Sequence, residues 1–271
     1  MLKDITLGQY FPGGTIVHKL DPRTKLILTI IYITALFIAD GVFAFFFMFA
    51  ILVSCLSASR IKPRTALRGI KPVLIILIFM TILHLFFTKG EIVIFEYRSV
   101  VMTREGVFTA IFMAARIIML IVGTFLLTYT TSPIALTDGL EMMLNPLKKI
   151  KLPVHELAMM MSLALRFIPT LIEETDKIMS AQKSRGADFE TGSILKRVKA
   201  IVPIIIPLFI SAFRRADELA TAMESRCYRG GEGRTRMKTL KASGRDYAAL
   251  AFGAMVVAVV VLLGRISLWS I

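Results

Sequence analysis

Apolar residues cluster along the chain in five runs that are separated by polar segments. The runs are residues 26–38, 42–57, 73–87, 107–129 and 247–263. A helix that spans a bilayer needs about 20 mostly apolar residues, and several of these runs are at the short end of that length. The pattern predicts an all-α, polytopic membrane protein with about five transmembrane helices.

Residues 131–245 separate the fourth run from the fifth. They predict three further helices, at about 132–147, 154–185 and 194–226. Ser132 followed by Pro133 suits the start of the first helix, and Gly186 suits the end of the second. We therefore divide the chain into an N-terminal transmembrane part with four spans (1–130), a helical insert (131–245) and a C-terminal transmembrane helix (246–271).

The second and third helices of the insert each carry an apolar stripe with steps of mostly three or four residues. The stripes are Leu157, Met161, Leu165, Ile168, Ile172 and Met179 on one helix, and Ile205, Leu208, Ala212, Ala216, Leu219 and Met223 on the other. Such a face can lie along a bilayer boundary or against another membrane protein. Met161, Leu165, Leu208 and Ala212 are our candidates for that contact, with ordinary packing as the alternative.

The loops differ in charge, and the difference predicts an orientation. Residues 58–72 carry five basic residues and no acid, whereas residues 89–106 carry three of each sign. The positive-inside rule puts the first loop in the cytoplasm and the second outside. Five spans then place the N-terminus in the cytoplasm, the C-terminus outside and the insert in the cytoplasm.

Two observations refine this topology. The insert holds 19 of the 33 basic residues against 12 acids, in agreement with a cytoplasmic position. Its two apolar stretches are interrupted, one by Arg166 and Pro169 and the other by Pro203 and Pro207. Two additional spans inside the insert remain an alternative. In the outer loop, the stretches IVIFEY and RSVVMT predict a short β-hairpin.

The overall composition agrees with a membrane protein. Hydrophobic residues make up 56% of the 271 residues, charged residues only 19%, and the mean hydropathy is +0.71. The formal net charge of +14 could indicate nucleic-acid binding. In a chain dominated by apolar runs, basic residues instead face the cytoplasm and the anionic lipid surface. We expect the lipid bilayer as a partner and no nucleic acid.

A short motif recurs near the ends of the two long helices of the insert. Ser184-Arg185-Gly186 and Ser225-Arg226-Cys227 lie 41 residues apart. At the same offset Asp176 matches Asp217, Ile178 matches Leu219 and Ala181 matches Ala222. An arginine at a helix end often does no more than complement the helix dipole. The repetition, on helices with one apolar side and a charged end, instead favours a coupling device.

The sequence offers no site for chemistry. There is no credible catalytic triad or carboxylate pair, and the phosphate-binding loop G-x-x-x-x-G-K-[ST] is absent. The cysteines and histidines show no metal-ligand spacing, so we expect no metal and no cofactor bound by this chain. Arg116, inside the fourth span, needs a carboxylate partner or access to the interface; a role in substrate binding is a weaker reading.

Four stretches carry a family resemblance: HKLDPRTK (18–25), TTSPIALTDGLEMMLNPL (130–147), LRFIPTLIEE (165–174) and SAQKSRG (180–186). Together with the second arginine motif they resemble the transmembrane T-component of energy-coupling factor transporters, which take up vitamins and transition metals across bacterial and archaeal cell membranes. The resemblance spans most of the chain in order. The flanks of the arginines depart from the family's alanine and glycine, while both arginines are present.

The resemblance implies a complex of four proteins. Two cytosolic ABC-type ATPases bind ATP and Mg²⁺, and a small integral-membrane subunit captures the substrate. The present chain couples them, with Arg185 and Arg226 each docking into a groove on one ATPase. It is therefore not expected to be an enzyme itself. The transported substrate is not readable from the sequence; general resemblance favours a subunit that is shared among several capture subunits over a dedicated one.

The sequence fits two other functions less well. A membrane-embedded enzyme would need a catalytic constellation, which the sequence lacks. A stand-alone secondary carrier is expected to have two similar transmembrane halves, whereas the repeat here lies in the insert.

Overall fold

The structure, a computed structural model, describes residues 10–88, 92–97, 100–187, 189, 193–231 and 239–266. The chain divides into two compact units: a larger unit of residues 8–139 and 240–271, and a smaller unit made mainly of residues 140–239. The elements are α1 (Pro22–Ile38), α2 (Val42–Ser59), α3 (Pro63–Arg68), α4 (Leu74–Phe87), β1 (Val93–Tyr97), β2 (Val100–Thr103), α5 (Arg104–Thr130), α6 (Pro133–Leu144), α7 (Val154–Ser184), α8 (Ile194–Ser225) and α9 (Gly244–Ile266).

The larger unit contains a helix for each of the five apolar runs, so the predicted all-α polytopic class is confirmed. The core lies where α1, α2, α5 and α9 meet. Leu36, Met48 and Val260 are fully buried there, while many other large apolar side chains of α2 and α4 face outward. An apolar exterior around a packed centre is the arrangement that a lipid environment requires.

Length and composition identify the helices that can cross a membrane. Among the described residues, α2, α5, α7 and the stretch Gly244–Arg265 of α9 are long and apolar enough, and Lys71–Phe87 is a shorter apolar helix. The protein is thus a multi-pass membrane protein. α1 has 17 residues, which corresponds to roughly 25 Å of helix. No residue in the most apolar window of α7 is buried, and its composition keeps the alternative with additional spans open.

The predicted hairpin between the third and fourth spans is confirmed. β1 and β2 pair in antiparallel register, with Val93 opposite Thr103 and Tyr97 opposite Val100. Thr103 then caps α5, because its hydroxyl accepts a hydrogen bond of 3.2 Å from the backbone N–H of Gly106. The strand end and the helix start therefore share one residue.

The three predicted helices of the insert are confirmed, with one change at the first. α6 begins as expected: the hydroxyl of Ser132 accepts a hydrogen bond of 3.3 Å from the N–H of Ala135. It ends at Leu144 and continues as a 3₁₀ turn, Asn145–Ile150, because Pro146 lies at the first turn of that segment and cannot donate to an α-helical bond. α7 and α8 contain their internal prolines without interruption.

Candidate functional site

Arg185 and Arg226 occupy the same position on their helices: each is the C-cap residue, of α7 and of α8 respectively. At the first end, the N–H of Gly186 donates to the carbonyl of Lys183 at 3.0 Å, and the N–H of Ala187 donates to that of Gln182 at 3.0 Å. This pair of bonds is the Schellman motif, which satisfies the last carbonyls of a helix. The sequence predicted the helix stop but not the full bonding pattern.

The end of α8 has the same bonding pattern. The N–H of Cys227 donates to the carbonyl of Glu224 at 2.8 Å, and the N–H of Tyr228 donates to that of Met223 at 3.0 Å. Each bond matches its counterpart on α7 at an offset of 41 residues. The sequence repeat is therefore a repeat of three-dimensional geometry at two helix ends.

The residue after each arginine adopts the left-handed conformation. Gly186 has φ +86°, and Cys227 has φ 53°. Glycine adopts this conformation without a steric penalty, whereas a residue with a Cβ is strained there by about 1–2 kcal/mol. The departure from glycine at Cys227 thus changes the energy of the second helix end but not its shape.

The serines before the arginines also behave alike. The hydroxyl of Ser184 donates to the carbonyl of Ser180 at 3.1 Å, and that of Ser225 donates to the carbonyl of Thr221 at 2.7 Å. These bonds fold the small side chains back along the helix. All six motif residues, Ser184, Arg185, Gly186, Ser225, Arg226 and Cys227, are exposed. Within the described residues neither guanidinium has an ion pair or hydrogen bond, so both can bind a partner.

We expect Gly186→Ala to weaken the first helix end and Cys227→Gly to strengthen the second. Nothing lies within 4 Å of a Cβ added at Gly186, so the substitution there costs only backbone strain, about 1 kcal/mol. Hydrogen exchange of the amides at 186 and 187 should become about fivefold faster, and that of the amides at 227 and 228 slower. Gly264→Ala, which also has free space but an ordinary φ, is the control. Unchanged exchange at both ends would refute the assignment of strain.

Of the four candidates for contact with another membrane protein, Ala212 lines a groove between the two long helices. This apolar groove between α7 and α8 has a volume of about 330 Å³ and is also lined by Met160, Leu163, Phe167, Leu171, Arg215, Ala216, Leu219, Ala220 and Met223. Met161, Leu165 and Leu208 are not among the lining residues. Met161 is exposed, while Leu165 and Leu208 are half-buried.

The apolar stripe predicted for α8 covers only part of the apolar surface that this helix exposes. The middle of α8, residues 201–213, is apolar on most sides. Its exposed large apolar residues are Ile201, Val202, Ile205, Ile206, Phe209, Ile210 and Phe213. The rings of Phe209 and Phe213 pack edge to face with centroids 4.6 Å apart. A helix that is hydrophobic all round is normally covered by protein or lipid. The signal was present in the sequence as IVPIIIPLFISAF, but the stripe analysis selected only one side.

The motif HKLDPRTK forms a hydrogen-bonded link inside the larger unit. The carboxylate of Asp21 accepts bonds from the backbone N–H and the guanidinium of Arg23 at 2.9–3.1 Å. The N–H of Asp21 donates to Asp246 Oδ1 at 2.8 Å. The ammonium of Lys25 donates to the carbonyl of Thr130 at 2.8 Å. These bonds tie the start of α1 to α9 and to the end of α5, and they give the motif a structural role.

Arg116 has a different partner from those considered above. Its Nη2 donates to the carbonyl of Ala39 at 2.9 Å, and its guanidinium lies over the ring of Phe45, 5.0 Å from the centroid. Ala39 is the C-cap residue of α1. The arginine therefore satisfies a carbonyl at a helix end rather than pairing with a carboxylate.

The described residues contain no group of three or more His, Cys, Asp or Glu side chains that could hold a metal ion. His155 Nδ1 lies 2.9 Å from Glu141 Oε1, and this pair joins the end of α6 to the start of α7. Histidine and carboxylate at this site therefore connect two helix ends.

Comparison with known proteins gives a consistent picture. Residues 13–237 match the family model CbiQ, described as cobalt transport protein. Three curated relatives carry the name energy-coupling factor transporter transmembrane protein EcfT. The relative from Clostridium kluyveri is 51% identical over 98% of both chains. That from Heliobacterium modesticaldum is 55% identical over 92% of this chain and 93% of its own, and that from Bacillus subtilis is 47% identical over 92% and 94%.

Proposed function

The chain belongs to the CbiQ family of cobalt transport proteins and, within it, to the EcfT transmembrane proteins of energy-coupling factor transporters, and from this membership we propose that it is a coupling subunit. It transmits the motion of two cytosolic ABC-type ATPases to a small membrane subunit that captures the substrate. The ATPases bind ATP and Mg²⁺ and hydrolyse ATP. The present chain contributes helices and contacts rather than catalysis.

The observation that carries this proposal is the duplicated helix end. Two long helices finish in the same Schellman motif, each with an exposed arginine as C-cap. A single such end needs no partner, because an arginine there complements the helix dipole by about 0.3–1 kcal/mol. Two ends of matching geometry fit two matching receptors, and a pair of similar ATPases provides them.

The chemistry of arginine fits a docking role. Its planar guanidinium binds a carboxylate through two parallel hydrogen bonds and stays protonated at any physiological pH. The serine and the glycine or cysteine beside it are small, so the helix end can enter a groove closely. We therefore propose that carboxylates on each ATPase receive Arg185 and Arg226.

The capture subunit would bind to the apolar surface of α7 and α8. Met161 and the exposed apolar side chains between Ile201 and Phe213 supply apolar area at the surface of the described residues. Burial of such area drives association, and Met side chains adapt to different partners. This adaptability supports a subunit shared by several capture subunits. The cargo class we propose is a vitamin or a transition metal ion, carried on the capture subunit.

Affinity purification of the tagged chain from its native membrane tests the proposal. We expect two ABC-type ATPases and at least one small integral-membrane protein to co-purify in a stable complex. A chain with Arg166→Ala and Arg214→Ala, which removes one exposed arginine from each long helix outside the motifs, should recover the same partners. Recovery of the chain without any ATPase would refute the coupling function.

The proposed orientation has the N-terminus in the cytoplasm, the C-terminus outside and the insert in the cytoplasm, and it predicts a labelling pattern. The exposed native Cys227 should resist a membrane-impermeant maleimide in intact cells and react after permeabilisation. A cysteine placed at the exposed Ile92, in a Cys227→Ser background, should react from outside without permeabilisation. Labelling of Cys227 in intact cells would contradict this topology. Two additional spans in the insert would leave Cys227 inside and instead expose a cysteine placed at Ser193, between the two apolar stretches, to labelling from outside.

A further inference from the structure

One ion pair joins the two long helices of the smaller unit. Arg215 Nη2 on α8 lies 2.9 Å from Glu174 Oε2 on α7. The pair is half-buried, with 36% of the arginine side chain and 23% of the glutamate side chain exposed. It lies beside the apolar groove that the two helices form, and Arg215 itself lines that groove.

The position of the pair reflects the internal repeat. Arg215 follows Glu174 by 41 residues, the same offset that relates Arg226 to Arg185. Each arginine end is therefore 11 residues beyond the ion-paired residue on its own helix. At 1.5 Å per residue, this corresponds to about 16 Å of helix on each side. We call these two segments, residues 174–185 of α7 and 215–226 of α8, the arms. They are equal in length and begin at residues that are equivalent in the repeat.

The helices run antiparallel, so these arms point away from the contact in opposite senses. Near the start of α7, Glu156 lies close to Gly230, beyond the end of α8. Further along α7, Glu174 meets Arg215. Equivalent residues of two antiparallel helices meet only at a local two-fold axis. The pair Glu174–Arg215 therefore marks an approximate two-fold axis between the helices.

We propose that the Glu174–Arg215 pair is the pivot that sets equal arm lengths, so that the two arginine ends match two sites related by a two-fold axis on the ATPase pair. This inference rests on the proposed function. The other groove residues near the pair, such as Leu171, Ala212 and Ala216, are apolar, and apolar contact alone does not fix how far one helix slides along another. A polar pair at one position fixes register.

The geometry of the pair fits a pivot, that is, a contact that fixes where the helices meet while their crossing angle can change. An ion pair that solvent still reaches contributes little to overall stability, because water screens the attraction. The bond uses one guanidinium nitrogen, and Arg215 Nε is buried without a hydrogen-bond partner among the described residues. A single bond fixes the point of contact but not the crossing angle, whereas a bidentate pair would fix both. A slip of one helical turn would make the arms unequal by about 5 Å.

The test measures the distance between the two ends. Ala181 and Ala222 are exposed, equivalent in the repeat and four residues before each arginine. Both are replaced by cysteine and spin-labelled in the full chain carrying Cys55→Ser and Cys227→Ser, in nanodiscs with and without the ATPases. We expect one narrow distance distribution. Glu174→Gln or Arg215→Gln should broaden it, and the exchanged pair Glu174→Arg with Arg215→Glu should restore it.

Substrate uptake per ATP hydrolysed gives the second readout. It should fall about two- to tenfold in each single variant, the range expected for residues coupled through one contact, and recover in the exchanged pair. Arg214→Gln, which removes the neighbouring exposed charge on α8, is the matched control and should leave both readouts unchanged. Arg215→Lys replaces Arg215→Gln if the latter fails to insert in the membrane, and it should broaden the distribution less.

Three results would overturn the pivot: unchanged distances in both single variants, broadening that the exchanged pair does not reverse, or equal broadening by Arg214→Gln. A different result would refute the proposed function: the ATPases would not co-purify with the unmodified chain. If the unmodified chain holds the ATPases and the single variants keep the distance, only the pivot is wrong.

Discussion

Replacing both helix-end arginines, Arg185→Ala together with Arg226→Ala, is expected to release the ATPases from the complex and abolish ATP-driven uptake. Each guanidinium, once docked, neutralises carboxylates in a groove that excludes water. Removing one partner of such a buried pair leaves the other charge unsatisfied, commonly at a cost of about 3–5 kcal/mol. Two such losses exceed what the remaining contacts of the helix ends can compensate.

Single substitutions should be milder, because two linked sites share the binding. When one end stays docked, the second acts at a high effective concentration. Arg185→Ala or Arg226→Ala alone should therefore give a complex that assembles but transports poorly. The chain itself should fold and insert normally in every variant, since neither guanidinium has a partner within the described residues.

Co-purification of the ATPases and uptake driven by ATP are the two measurements. The double variant Arg166→Ala with Arg214→Ala, at exposed positions on the same two helices, controls for the loss of positive charge. Lysine at both ends should restore binding only in part, because an ammonium cannot form the bidentate pair. If the alanine double variant retains the ATPases and full uptake, the arginines are helix-end charges only and the docking proposal is wrong.

The local pattern of the sequence was enough to place most elements. Apolar runs predicted α1, α2, α4, α5 and α9, and the observed bounds differ from the predicted ones by a few residues at most. Ser132-Pro133 predicted the start of α6, and the alternating stretches around residues 93–103 predicted the hairpin. These features depend on neighbours within a few residues, which is the range over which periodicity and capping signals act.

Contacts between distant residues could not be predicted in the same way. The bond from Asp21 to Asp246 joins residues 225 apart in the chain, and neither residue carries a local mark of the other. Arg116 was recognised as needing a partner, yet its acceptor is the backbone carbonyl of Ala39, and every residue has such a carbonyl. Tertiary packing decides which one is in reach.

The candidate docking site was predictable in part. The 41-residue repeat identified both arginines from sequence. The left-handed conformation of Cys227 was not anticipated, because non-glycine residues seldom adopt it, and only the matching bonds at Gly186 show why it is required. The ion pair between Glu174 and Arg215 obeys the same repeat, but its partners are oppositely charged, so a search for similar residues passes over it.

A negative charge on the apolar surface of α7 and α8 is expected to expel the capture subunit while the ATPases stay bound. Met161→Glu and Phe209→Glu are the variants. Met161 is 48% exposed and Phe209 is 61% exposed, so neither substitution removes much packing within the chain. In a contact with an apolar membrane protein, however, the carboxylate would lose water without gaining a partner, at a cost of several kcal/mol.

Arg185 and Arg226 are unchanged in these variants, so docking of the arginine ends should be unaffected. We expect recovery of the capture subunit to fall about 100-fold, which corresponds to roughly 3 kcal/mol, with ATPase recovery unchanged. Met161→Leu and Phe209→Leu keep the surface apolar and should bind as the unmodified chain does. Quantitative co-purification from detergent or nanodiscs measures both partners in one sample. Unchanged recovery of the capture subunit in the glutamate variants would show that it binds elsewhere, and simultaneous loss of both partners would assign the effect to misfolding of the smaller unit.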